Sequence, residues 1–164
     1  MTSRPPWAEA SDITRDYFDN EWGNRLTSEQ AVFEALCLLT FQCGITWHAV
    51  LMNRDGLRNT FSDFDPDKVA ALNPGPTTAN SPIKNLRKTT AVIQNAKATI
   101  ALRETGGLPK LIRDAAEEDP NRLPKTLRSL GFAMIGPKMV KAFLETVGLI
   151  DLLPASAAPE SFPA

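Results

Sequence analysis

The sequence predicts an all-α fold, an orthogonal helical bundle. Three observations carry that prediction. Helix punctuation recurs along the chain: capping residues, prolines one step inside them, and terminal glycines. The period-two alternation of a half-buried strand is nearly absent. The chain has 164 residues, 43% hydrophobic and 23% charged. A single domain of that size buries about 70% of its unfolded surface and needs no disulfide or metal to fold.

The elements follow in order. Ser11 or Asp12 can cap a short helix through Phe18. Thr27 to Gln30 has capping-box spacing. The apolar set after it is Val32, Phe33, Leu36, Leu38, Leu39, Phe41 and Cys43. It is too wide for a one-sided stripe, so this helix is central and mostly buried. Gly44 ends or bends it, and Thr46 restarts a helix carrying Trp47, Val50 and Leu51. Asp55 to Phe61 gives a further turn or two, and Asp65-Pro66 opens a short helix through Leu72. Asn73 to Asn80 reads as a loop, and Ser81-Pro82 as the start of the longest helix, running to Glu104 before Gly106-Gly107 stops it. Leu108 to Ala116 is a small helix and Asp119-Pro120 a turn. Pro124 to Leu130 is closed by Gly131, and Gly136-Pro137 opens a last helix ended by Gly148. The domain spans residues 4–151, and 152–164 are expected to form a flexible tail.

Lys and Arg number 18 and Asp and Glu 19, a net charge of -1. That excludes a uniformly basic nucleic-acid coat and a disordered acidic chain. No run approaches the ~18 apolar residues of a membrane span. Met1 to Pro6 has no apolar signal core, so the default location is the cytoplasm. Cys37, Cys43 and His48 are too few for a structural zinc site, and no metal is expected. The cysteines read as buried small hydrophobes, and His48 as a surface or half-buried side chain.

Two regions carry chemistry. In the first, Leu127 to Val140, a helix closes at Gly131, a short hairpin follows, and Gly136-Pro137-Lys138 opens the next helix. Gly136 lets another backbone approach closely. The first N–H groups of the helix, with Lys138 and Lys141, suit a phosphate. The pattern resembles the helix–hairpin–helix motif that grips DNA without reading its sequence. An ordinary tight turn is the alternative. Basic clusters at Lys84, Arg87 and Lys88, and at Arg122, Lys125 and Arg128, permit a local positive face.

The second region is aromatic. All three tryptophans and the one tyrosine fall early in the chain, at Trp7, Tyr17, Trp22 and Trp47. Core packing would account for any one of them. Their neighbours, Asp19-Asn20-Glu21 and Gln42-Cys43-Gly44, add polar groups. Aromatic faces with a few polar groups suit an extruded nucleobase, with stacking contributing about 1–3 kcal/mol per base.

On these residues the sequence resembles the DNA-3-methyladenine glycosylase I family, a branch of the helix–hairpin–helix glycosylases. The carriers are Trp7, Tyr17 to Gly23 (YFDNEWG), Phe33 to Trp47 (FEALCLLTFQCGITW), Phe64 to Leu72 (FDPDKVAAL), Asn95-Ala96, and Gly131 to Gly148 (GFAMIGPKMVKAFLETVG). The resemblance implies a small helical hydrolase that acts on double-stranded DNA; a monomer is the default expectation, and no cofactor is expected. It would excise 3-methyladenine by cleaving the N-glycosidic bond, which the lesion's positive charge already weakens. Tyr17 and Trp47 would be stacking walls, Trp22 would line the pocket, and Trp7 would lie nearby. Gly131, Gly136, Pro137 and Lys138 would hold the DNA backbone.

Two positions depart from the family. Its base-recognising glutamate falls at Leu39, where losing a charge-assisted hydrogen bond costs about 1.5–3 kcal/mol. Glu34 is expected to face elsewhere, and Asp19 or Glu21 are the other acids near the pocket sequence. The family's zinc clip between the termini would need ligands at Pro5, at Phe18 and after Asp151, where none stand. Phe18 is expected to replace the clip with apolar packing. The sequence therefore leaves three readings: a zinc-free glycosylase, a non-catalytic DNA- or base-binding module, and a purely structural protein.

Overall fold

The computed structural model describes residues 4–150. The expected tail lies outside them. A 3-10 turn, Pro6–Glu9, leads into α1 (Asp12–Asn20). The central helix is α2 (Glu29–Gln42), followed by α3 (Trp47–Met52), α4 (Arg54–Thr60), α5 (Pro66–Ala70) and α6 (Pro74–Asn80). Then come α7 (Leu86–Ala101), α8 (Leu108–Glu118), α9 (Leu123–Ser129) and α10 (Pro137–Thr146). No strand occurs among the described residues, and no helix there is long and apolar enough to cross a membrane.

α2 is central for the reason its sequence gives. From Val32 to Gln42 every side chain except Glu34 is buried. α3, α7, α8 and α10 pack around it, and α7 also carries α5 and α6. Phe33, Phe41, Phe61, Phe64 and Phe143 fill the core, and Phe61 stacks on Phe64 at 5.8 Å. That stack fixes a turn in which Ser62, Asp63 and Phe64 all have positive φ, a conformation costly for residues with a side chain. Cys37 and Cys43 are free and buried.

Several boundaries differ from the sequence reading. Ser28, not Thr27, caps α2: its Oγ accepts from Ala31 N at 3.1 Å, while Gln30 turns away to donate to the Asp63 carbonyl at 2.8 Å. Residues 73–80 are not a loop but contain α6. Its prolines, Pro74 and Pro76, occupy the first turn, where backbone N–H groups have no helical acceptor and none is lost. The long helix begins at Leu86, because Asn85 Oδ1 accepts from Lys88 N at 3.0 Å. Ser81-Pro82 makes only a turn closed by Ile83 N on Ser81 Oγ. Lys88 leaves the expected basic face. It is 4% exposed, and its Nζ donates to the Phe41 carbonyl at 2.7 Å. The ammonium thus caps the C-terminal end of α2, and burial lowers its pKa.

The C-terminal end of α10 closes onto the segment after α1. Gly23 N donates to the Thr146 carbonyl at 3.3 Å and Leu26 N to the Val147 carbonyl at 3.1 Å. Gly148 has φ +78, and a Cβ there would stand 2.7 Å from the Gly23 carbonyl oxygen and 2.9 Å from Arg25 N. Nearby on α10, Glu145 is 3% exposed, and its Oε1 has no hydrogen-bond partner. Burial pushes its carboxyl up to about 7, against the opposing pull of Lys141.

Gly148→Ala should cost about 2–4 kcal/mol, combining left-handed strain with backbone overpacking, read as a lowered urea midpoint. Glu145 gives a pH signature. Its folded pKa lies above the unfolded value of about 4.3, so its contribution is complete below that value and is lost as pH rises through about 7. Glu145→Gln should therefore flatten the fall in urea midpoint between about pH 5 and about pH 8, and should be roughly 1–3 kcal/mol more stable than the parent at the upper end. Parallel pH profiles for the two proteins would contradict this.

Candidate functional site

The four aromatic residues read from the sequence meet in one cluster. Trp7 comes from the first 3-10 turn, Tyr17 from α1, Trp22 from the segment after it, and Trp47 from the first turn of α3. All six pairs of rings have centroids between 5.1 and 6.5 Å apart. Local chemistry sets the convergence. Ser11 caps α1, and Thr14 Oγ1 donates to the Ala8 carbonyl, tying the turn that holds Trp7 to the helix that holds Tyr17. Gly44, at φ +79, turns the chain, and Thr46 caps α3 so that Trp47 points inward. His48 is exposed, and its Nδ1 lies 2.8 Å from Ser11 Oγ, joining α3 to α1.

Tyr17 and Trp47 touch, at 5.2 Å with a 37° tilt. A flat base sandwiched between two rings needs about 7–8 Å between them. In this arrangement the two rings are one adjoining surface rather than opposed walls. Leu39 is fully buried. Trp7 is 3% exposed, and its Nε1 has no hydrogen-bond partner.

The acids around the cluster are already engaged. Arg54 places its guanidinium 5.8 Å from the Tyr17 ring centre. Its Nη1 donates to both carboxylate oxygens of Glu21, at 2.9 and 2.8 Å, and its Nε to Glu34 at 3.2 Å. Arg58 donates to the same Glu34 oxygen at 2.8 Å. Asp19 is held by Arg4 at 2.8 and 2.7 Å, which pulls its carboxyl below the ordinary range. Neither Asp19 nor Glu21 therefore stands free in place of the family glutamate. Burial keeps the Tyr17 phenol well above its ordinary pKa, so it remains neutral. Tyr17, Glu34, Leu38, Arg54 and Arg58 border a cavity of about 220 Å³.

No metal site is formed among the described residues: no group of three or more His, Cys, Asp and Glu converges there. The positions of the family's N-terminal zinc ligands do not fit a metal. Pro5 offers no ligand atom, and Phe18 packs edge-on against Trp7 at 5.7 Å.

The second region is a hairpin held from behind. Gly131 has φ +94 and Met134 φ +59. Phe132 and Ile135 are buried. Asn95 of α7 clamps Ala133, donating to its carbonyl at 3.2 Å and accepting from its N–H at 2.7 Å. Gln94 donates to the Gly131 carbonyl at 2.7 Å, and Arg128 to the Ile135 carbonyl at 3.1 Å. Pro137, Lys138 and Lys141 face solvent. Around Gly136 a Cβ would meet nothing within 4 Å, and its φ of -137 is ordinary.

The sequence reading missed Arg54 and the clamp made by Asn95. Arg54 and Arg58 stand one helical turn apart, and Glu34 is the one acid inside the apolar run from Val32 to Phe41. That pairing was the available signal. For Asn95 the signal was a buried amide on the apolar face of α7.

Known proteins resemble this chain in sequence and fold. The methyladenine glycosylase family model matches residues 7–154. A DNA-3-methyladenine glycosylase of Haemophilus influenzae is 33% identical, with 92% of this chain and 94% of that protein covered. DNA-3-methyladenine glycosylase 1 of Escherichia coli is 27% identical over 88% and 90%. A crystal structure of 3-methyladenine DNA glycosylase I superposes with a TM-score of 0.84 at 26% identity, covering 91% and 94%. A fold, an aromatic cluster and a chain-long sequence match of this kind place the protein in the methyladenine glycosylase family.

Proposed function

We propose that this protein is a DNA glycosylase of base-excision repair, a hydrolase that cleaves the N-glycosidic bond of an alkylated purine such as 3-methyladenine. The observation that carries the reading is the gathering of Trp7, Tyr17, Trp22 and Trp47, from four separate stretches of chain, into one aromatic surface. The partner is double-stranded DNA, met by a monomer in the cytoplasm. The target base leaves the stack and lies on this surface, where contact over a ring is worth about 1–3 kcal/mol. Tyr17, kept neutral by burial, contributes a ring and a phenol O–H rather than a charge. An alkylated purine that is cationic in DNA has a weakened glycosidic bond, so holding it out of the duplex supplies much of what excision needs.

The hairpin between α9 and α10 supplies the grip on the backbone. Nothing inside the protein calls for glycine at position 136, since its φ is ordinary and a Cβ would have open space. That open space leaves room for a phosphate backbone to approach the start of α10 and Lys138. A non-catalytic base- or DNA-binding module is the second reading, and the apolar Leu39 favours it.

The decisive assay is release of free 3-methyladenine from methylated DNA. Release is expected from the parent, and Trp47→Ala should reduce it about tenfold or more. No release from the parent or from Leu39→Glu, with DNA binding retained, would establish the binding module. For the hairpin, Lys138→Gln should lower the slope of log affinity against log salt by about one unit. Gly136→Val should weaken DNA binding at an unchanged melting temperature. An unchanged slope would remove Lys138 from the phosphate contacts.

A further inference from the structure

We infer that the exposed face of α7 is a second DNA-contact surface, with Leu86 packed against the bases at the step from which the target base leaves and Arg87 on a neighbouring phosphate. The inference rests on the reading of this protein as one that takes a base out of duplex DNA.

The first observation is the segregation of charge. The chain as a whole carries 19 acids against 18 lysines and arginines. Yet residues 68–103 and 120–144 contain no Asp or Glu, and they hold eleven of the 18 lysines and arginines. The first stretch contains α7, and the second contains the hairpin between α9 and α10. They adjoin where Gln94 and Asn95 donate to the carbonyls of Gly131 and Ala133. Neither stretch brings an acid to that junction, and a surface of this kind suits a polyanion.

The second observation is apolar. Leu86 is 57% exposed, and Leu130, next to Gly131 of the hairpin, is 41% exposed. A single exposed leucine is ordinary. Leu86 is set apart by its neighbours, because Lys84 and Arg87 flank it and both are exposed. Lys84 is held in place, donating to the Ser81 carbonyl at 2.8 Å. Arg87 makes no hydrogen bond or ion pair among the described residues, whereas Arg4, Arg15, Arg54, Arg58 and Arg103 are all paired. Apolar side chains beside cations are what proteins use to wedge a base step open while holding the adjoining backbone.

The third observation is position. Lys88 Nζ donates to the Phe41 carbonyl at 2.7 Å, so the first turn of α7 sits at the end of α2. Burial pushes the Cys43 thiol up, and Lys88 and Arg87 pull against it, so Arg87 stands beside the same turn. That turn, through Gly44 and Thr46, delivers Trp47. From there Arg87, Thr90 and Gln94 fall on one exposed side of α7, and Gln94 reaches the hairpin. Arg87 and Gln94 are seven residues apart, about 10 Å of helix, which matches about three nucleotides of a duplex strand. A strand held at the hairpin and opened beside Trp47 therefore passes along this face, and Leu86 meets it at the open step. Extrusion leaves a gap in the stack, and an apolar side chain lodged there lowers the cost of keeping the base out.

Fluorescence anisotropy of the full-length protein tests the inference on a duplex with a tetrahydrofuran abasic site, which presents the gap ready made. Leu86→Ala should weaken this binding about tenfold. Its melting temperature should be unchanged, as should its affinity for the single strand of the same sequence. Leu86→Met should restore the parent's affinity. Arg87→Gln should lower the slope of log affinity against log salt by about one unit, and the double variant with Lys138→Gln by about two. Quenching of tryptophan fluorescence by free 3-methyladenine reads the base site separately. A Leu86→Ala variant that holds the abasic duplex as tightly as the parent, or weakens equally on the single strand, would overturn the inference, as would an unchanged slope in Arg87→Gln. Free-base binding that is lost in Trp47→Ala would then leave the base-site reading standing. A parent that binds neither the free base nor the abasic duplex would overturn that reading and the inference with it.

Discussion

The burial of α2 on nearly every side is the constraint from which the rest of the site follows. A helix sealed by α3, α7, α8 and α10 cannot leave its polar groups to water. Glu34, the acid set among its buried residues, is compensated by two arginines one turn apart on α4. Removing one partner of such a pair is costly, so α4 is fixed against α2. The same Arg54 then reaches Glu21 and lies over Tyr17. A requirement of the core thereby orients one wall of the aromatic cluster. At the far end of α2, Lys88 satisfies the Phe41 carbonyl, just before the turn that delivers Trp47.

The hairpin depends on α7 in a comparable way. Its backbone turns through two left-handed positions, Gly131 and Met134. Strain of that kind persists only when the surroundings over-determine it. Asn95 does so by taking both backbone groups of Ala133 with one amide, and Phe132 and Ile135 anchor either side. α7 also meets α2, so the aromatic surface and the hairpin are mounted on two helices in direct contact. The base-excision reading proposed above calls for rigid mounting of this kind.

What was legible in the sequence was chiefly what one residue does to its own backbone. Thr46, Gly44, Asp65-Pro66 and Gly106-Gly107 all act as their types predict. The aromatic cluster was legible because the three tryptophans and the one tyrosine all fall early in the chain, beside polar turn residues. The errors arose where a local signal had two outcomes. Pro74-Gly75-Pro76 reads as a loop, yet prolines are harmless in a first helical turn. Thr27 and Ser28 are equally good caps, and the long-range bond from Gln30 to Asp63 favours Ser28. Lys88 looked like surface because lysine usually is. Only the unsatisfied end of α2 explains its burial, and that is a tertiary fact. Arg54 over Tyr17 spans two helices and has no local signature.

The absence of ligand residues at Pro5 and Phe18 raises the question of what closes the N-terminal segment onto the domain. Three weaker contacts divide the task. Arg4 forks onto Asp19, the ring of Phe18 meets the edge of Trp7, and the end of α10 hydrogen-bonds to Gly23 and Leu26. The ion pair is exposed and contributes little by itself. The ring contact and the backbone bonds are partly sheltered and carry more. This closure shares its residues with the site, since Trp7 is both the partner of Phe18 and a member of the aromatic cluster. Closure by packing therefore couples the order of the N-terminal segment to the shape of the aromatic cluster. A separate metal clip would have kept the two apart.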